Sequence, residues 1–157
     1  MGESQKIVDL FRKLQDGDCW IGLNMAQVLK GLSASVAARK PYPKGNSCWM
    51  LLNHLIYWRK IVISRLTGET STPPMPDFYQ PADTSDAAWT TAKLHFEQIS
   101  RELIAKIQQF DAAKLQEASP VKGQTYYALL MGCLQHDSYH IGQIQLLKNL
   151  GAALPAA

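Results

Sequence analysis

Cysteine is scarce in this sequence. Its 157 residues hold three, Cys19, Cys48 and Cys133. The number is odd and no Cys-x-x-Cys pair occurs, which excludes a disulfide framework and a thiolate zinc site. Each lies among apolar residues and reads as a small packed hydrophobe suited to a reducing cytosol. Charge is also sparse: charged residues make up 18%, below the usual ~25%. Sixteen Lys and Arg against 13 Asp and Glu leave a net charge of +3. The basic residues are scattered, adjacent at most in pairs such as Arg39–Lys40 and Arg59–Lys60, so no nucleic-acid partner is expected. No apolar leader opens the chain, because Asp9, Arg12 and Lys13 interrupt Ile7 to Leu14. Gly2 is not followed by the myristoylation pattern, since position 6 is Lys6. The longest apolar zone, Cys48 to Leu66, contains Asn53, His54, Arg59, Lys60 and Arg65 and is too polar to span a membrane. These absences point to a cytoplasmic protein without a membrane partner. Sustained apolar–polar alternation is missing as well, and with it any strand or hairpin.

What is present is helix. The apolar share of 46% excludes a disordered chain, and the length suits a single domain over 1–157 that builds a core without a metal staple. Any metal would therefore serve function. Ile7, Leu10, Phe11 and Leu14 recur at helical spacing up to Asp16-Gly17. A shorter run follows, with Met25, Val28, Leu29 and Leu32 on one face and Asn24 as its cap. Lys40 to Gly45 is a break. Asn46 or Ser47 caps the next helix, Trp49 to Leu66, which is apolar nearly all round, with Asn53, Lys60 and Ser64 as a narrow polar stripe. Such a helix is buried on several sides, in a bundle or at a subunit interface. Ser85 to Phe110 carries a bundle seam of Trp89, Ala92, Phe96, Ile99, Leu103, Lys106 and Phe110, with Ile107 beside Lys106. Thr125 to Leu150 is the last helix, stopped by Gly151 with Pro155 beyond. The Pro-rich stretch Gly68 to Asp83 is a lid, a binding loop, an interface arm or a plain strap; Asp111 to Gln124 is a second long connection. The expected fold is an all-α four-helix bundle with a short extra helix and two long connections.

Four histidines remain. His95 keeps company with Thr91, Gln98 and Glu102 and reads as a surface residue. His136 and His140 are four apart, so they stack on one face, and that face is mainly apolar. His54 is a lone imidazole among Met50, Trp58 and Ile61. Two helices bringing these three rings to one point would supply three nitrogen ligands and leave a position open, the layout of a catalytic metal site. Hydrogen-bonded core histidines are the competing reading. HDSYH also has the outline of the zincin motif, with Asp137 in place of the glutamate and no third ligand downstream. Asp137 alternatively orients a ligand or faces a neighbouring helix. No Glu-x-x-His pair occurs, which disfavours a di-iron carboxylate bundle.

The stretches NSCWMLLNHLIYWRKIVISRLTGE (46–69) and LLMGCLQHDSYHIGQIQLLK (129–148) resemble the DinB-like (DinB/YfiT) superfamily. Its pattern is one histidine early in the second helix and H-x-x-x-H-x-x-Q-[IL] in the last. Trp20, Gly22 and Gly31-Leu32-Ser33 add a weaker likeness. The resemblance implies an up-down-down-up bundle, a divalent metal on His54, His136 and His140, and a homodimer. Histidine nitrogen suits zinc, nickel, copper or iron; zinc is the first expectation and nickel the second. Relatives include thiol-cofactor S-transferases, which implies a metal-dependent enzyme, a thiol S-transferase or a hydrolase, with a low-molecular-weight thiol as a further cofactor. The catalytic group would be a water or thiolate on the metal. Trp20, Tyr57, Trp58 and Tyr139 are the candidate pocket aromatics. The alternative is a non-catalytic metal-binding or stress-associated helical module.

Overall fold

The computed structural model describes residues 2–153, with Ala153 through its backbone only. Six α-helices follow in order: α1 (Glu3–Gln15), α2 (Met25–Leu29), α3 (Ala34–Ala38), α4 (Cys48–Leu66), α5 (Asp86–Gln109) and α6 (Tyr126–Ala153). A 3₁₀ turn, Ala112–Gln116, lies in the connection before α6. No strand occurs among the described residues; Ala118 and Thr125 form one isolated bridge. None of these helices is long and apolar enough to cross a membrane.

Capping residues fix where the helices begin. Ser47 and Ser85 accept from the backbone N–H groups of Met50 and Ala88, and Asn24 forms a full capping box with Gln27. Each satisfies a donor that the first turn leaves without an intrahelical partner. The seam of α5 is buried as its spacing predicts, through Trp89, Phe96, Ile99 and Leu103, and Ile107 takes the place that Lys106 leaves. Three expectations fail. The run from Met25 to Leu32 is divided, because Gly31 adopts a left-handed backbone at φ 69° and Ser33 then caps a separate helix, α3. There are thus two short extra helices. Gly151 does not stop α6 but lies within it. A Cβ there would stand 2.7 Å from Val36 Cγ1, so the glycine permits close approach to α3. Pro155 lies outside the described residues. On α1, Leu10 is exposed and Val8 fills the core instead.

The long helices pack around one core that also takes in α2 and α3. Their directions follow from who meets whom. Trp49 and Trp89, near the starts of α4 and α5, lie 4.9 Å apart, and Arg59 meets Ser100 farther along both, so α4 and α5 run parallel. Cys48 at the start of α4 donates to Ile144 O near the end of α6 at 3.6 Å, so these two are antiparallel. Ser4 of α1 donates to Phe110 O just past α5 at 3.2 Å. The connectivity is up-down-down-up. α4 is covered by α5, α6 and the Pro-rich connection, so its apolar surface is consumed within the chain. The polar stripe of α4 holds that connection: Asn53 donates to Tyr79 O at 2.7 Å and Ser64 bonds Ser71 at 2.7 Å.

Val36 is β-branched and cannot swing aside cheaply, so Gly151→Ala should lower the unfolding midpoint by overpacking, about 1 kcal/mol or more. In a Val36→Ala background the same change should be neutral or stabilising, since alanine favours helix. Equal losses in both backgrounds, read by urea unfolding, would refute the contact.

Candidate metal centre

Antiparallel packing of α4 on α6 sets His54 opposite His136 and His140. The three offer ligand nitrogens that all lie within 4.8 Å of one another. His54 and His140 are buried and His136 is partly open to a cavity. His54 Nε2 and His136 Nε2 are 2.8 Å apart. Two metal–nitrogen bonds of about 2.0–2.1 Å span at most about 4.2 Å, so one ion could be shared after a small inward shift of the rings.

Each ring faces an acceptor on its other side. His54 Nδ1 donates to Asp77 Oδ1 at 2.5 Å, and that oxygen also accepts from Phe78 N at 2.9 Å. His140 Nδ1 donates to Gln143 Oε1 at 2.6 Å, while Gln143 Nε2 donates to Tyr139 Oη at 2.9 Å. His136 Nδ1 lies 3.6 Å from Asp137 Oδ1, and this buried oxygen has no hydrogen-bond partner. These contacts give a test of fit. A hydrogen on Nδ1 of His54 leaves Nε2 as an acceptor, so His136 must donate from Nε2 to satisfy the 2.8 Å contact. Asp137 Oδ1 is then stranded. A divalent ion would take both Nε2 lone pairs and place the His136 hydrogen on Nδ1, facing the stranded oxygen. The donor set is neutral imidazole backed by carboxylate and amide oxygens, the usual support of a metal-bound histidine. The residues fit the group.

Asp137 is itself fixed by a buried cation. Arg59 Nε and Nη2 contact Asp137 Oδ2 at 2.9 and 2.8 Å, Arg59 also meets Ser100 and Gln15, and its guanidinium lies 4.4 Å from the Phe96 ring centre. Held inside the bundle, Asp137 is unavailable as the general base of a zincin-like site. Burial is the largest influence on the histidines: it lowers the pKa of His54 despite Asp77 and pushes that of His140 down to about 4. Both rings therefore stay neutral, the form that binds metal, into mildly acidic solution.

The cluster opens onto a cavity of about 460 Å³. Trp58 and Tyr139 line it, as do Phe78, Cys133 and Arg65. Tyr57 is not in this wall; its ring centre lies 6.1 Å from that of Trp58. Trp20 is elsewhere: it is fully exposed beside a separate groove between α1 and α6. His95 stands apart from the cluster in a shallow depression with Asn53 and Tyr79. Its pKa is lowered by partial burial, with Lys60 adding to the effect. Burial raises the Cys133 thiol well above its ordinary pKa, so it is no ready nucleophile.

Sequence reading missed Asp77, Phe78 and Arg59. Phe78 stacks on His54, with ring centres 3.8 Å apart and planes at 16°, and its backbone is left-handed at φ 51°. That conformation is unusual for a bulky residue and marks a constrained position. The Pro-rich connection is thus a wall of the site. A signal for Arg59 did exist: an aspartate beside a histidine on an inward helix face requires a buried cation.

The family model of the DinB superfamily matches residues 23–144, a span that includes all three histidines. No curated protein matches the chain.

Two outcomes follow. In metal-free protein the native ring of His140 resists a proton that the unfolded chain accepts at its ordinary pKa of 6.5. The stability difference between wild type and His140→Gln should therefore be constant above about pH 6.5 and shrink in wild type's disfavour toward about pH 4. A difference that does not vary with pH would contradict the burial argument. Arg59→Met should cost about 3–5 kcal/mol by leaving Asp137 unpaired, and adding Asp137→Leu should recover much of it. Additive losses in urea unfolding would show the pair to be uncoupled.

Proposed function

The chain belongs to the DinB superfamily, and from that premise we propose that it is a metal-dependent enzyme with His54, His136 and His140 as the ligands of one divalent ion. Zinc is the first choice and nickel the second, since imidazole nitrogen suits both. The observation that carries this reading is the convergence of three ring nitrogens within 4.8 Å, together with the unpartnered buried oxygen of Asp137 that the Nδ1 hydrogen of a metal-bound His136 would face. When bound, the ion would supply a Lewis acid able to hold a thiolate or polarise a carbonyl.

The chain's own residues position and shield. Asp77 and Gln143 fix the rings of His54 and His140 through Nδ1. Phe78 and Trp58 present apolar faces beside the rings. The wall offers no activated side-chain nucleophile, because Cys133 is held as the neutral thiol. The nucleophile of the reaction must then arrive with a bound small molecule or as water. Transfer of a low-molecular-weight thiol to an electrophile meets that condition, and so does hydrolysis. A second reading, metal binding without turnover, draws support from the wall's lack of a carboxylate acid or base. The proposal takes the protein as a cytoplasmic homodimer, with an interface other than α4.

The test is elemental analysis of untagged protein beside His54→Ala, His136→Ala and His140→Ala. The expected result is about one zinc or nickel per chain, as for a mononuclear three-histidine site, lost in each variant. Protein that takes up neither metal on reconstitution would overturn the metal reading. Stoichiometry unchanged in all three variants would move the site elsewhere. Turnover abolished by chelation and restored by metal would separate the enzyme from the sequestering module.

A further inference from the structure

The cavity has two unlike ends. At one end are the imidazoles. At the other is Arg65, from the last turn of α4, whose guanidinium carbon lies 5.9 Å from the ring centre of Trp58. Trp58 in turn is 6.3 Å from the ring centre of His54. Its indole forms the floor between the two ends, which are no farther apart than those two steps. Val62, Leu129 and Gly132 complete an apolar middle.

Charge in this cavity is not balanced. No Asp or Glu lies in the wall, and Arg65 has no carboxylate within salt-bridge distance among the described residues. The other arginine of α4 differs: Arg59 is paired with Asp137. A cation in the last turn of a helix is favoured by the helix dipole, but that preference asks only for exposure near the terminal carbonyls. It does not turn the guanidinium back over an indole in a cavity wall. The histidines add no negative charge to offset a divalent ion, and Asp77, behind His54, offsets part of it. The cavity wall therefore carries a cation, Arg65, and no carboxylate to balance it.

We propose that Arg65 makes the far end of the cavity an anion subsite, and that the molecule taken there is an apolar body bearing a carboxylate, laid along Trp58 toward the imidazoles. This deepens the metal-site reading and rests on it for the near end only. A guanidinium binds a carboxylate through two parallel N–H···O bonds, which fixes orientation as well as sign. The subsite thus selects length: a ligand whose second polar group reaches the imidazoles spans Trp58, and a shorter one loses one end.

Terephthalate and benzoate are suitable probes, since they share one carboxylate and a flat apolar ring and differ in the second carboxylate. Calorimetric titration of the metal-loaded protein should show terephthalate binding about tenfold tighter, the scale of one charge-assisted contact. Arg65→Gln should reduce the preference to near unity while metal content and benzoate affinity hold, and Arg65→Lys should keep part of it. Arg101→Gln, a surface change on α5 beside Glu97, should leave the preference intact. Equal affinities for the two probes in wild type, or a preference that survives Arg65→Gln, would overturn the subsite. Protein that takes up no metal would refute the metal reading without touching this one. In that case benzoate binding to the metal-free protein should fall in Arg65→Gln, and unchanged binding would overturn the subsite.

Discussion

The ion pair between Arg59 and Asp137 holds the centre of the bundle. Both groups are almost wholly removed from water. Two charges in such a place are tolerated only with short contacts to each other and with their remaining donors occupied. The structure meets both demands by drawing on every long helix. Asp137 comes from α6, Arg59 from α4, Ser100 and Phe96 from α5, and Gln15 from α1. Apolar side chains in the same volume would have packed with less cost, but they would not have fixed the register of α6 against α4. That register decides whether His136 and His140 meet His54.

From this pair outward the site is a set of held rings. Asp137 stands behind His136, Asp77 behind His54 and Gln143 behind His140. The three supports come from different parts of the chain: a helix interior, an irregular connection and the next turn of the same helix. The imidazoles have little freedom left, and their Nε2 edges are turned toward a common space. Rings held in this way would lose less freedom on taking up an ion, which would lower the ordering cost of binding one.

Much of this was legible in the sequence where the signal is local. The seam of α5 follows from three- and four-residue steps, and its start from Ser85. The histidines stood out because an apolar helix face leaves imidazole hydrogen bonds unanswered. What was not legible is long-range or aperiodic. Asp77 lies 23 residues from His54 in a stretch with no period, so no spacing links them. Gly151 looks like a helix stop by residue type, and only the approach of Val36 reveals its use. Trp20 follows a helix end beside Gly22, where an aromatic reads as part of a wall; nothing packs over it. The division between α2 and α3 turns on one backbone angle at Gly31, which the spacing of apolar residues does not encode.

Parallel α4 and α5 impose a route on the chain between them. A helix of 19 residues is about 28 Å long, so the connection must travel back along the whole bundle before α5 can begin. It has length to spare at about 3.3 Å per extended residue, and its path lies over the polar stripe of α4 and past the imidazoles. Topology thus makes one wall of the cavity out of an irregular segment that bonds to α4 and stands outside the Arg59–Asp137 network shared by the four helices. Outside Asp77 and Phe78, which hold the His54 ring, such a segment can be lengthened, shortened or exchanged while the register of the helices and the buried charges stay in place. The fold is in this sense a fixed socket with a replaceable cover, and new ligand preferences are most cheaply reached by rewriting the cover.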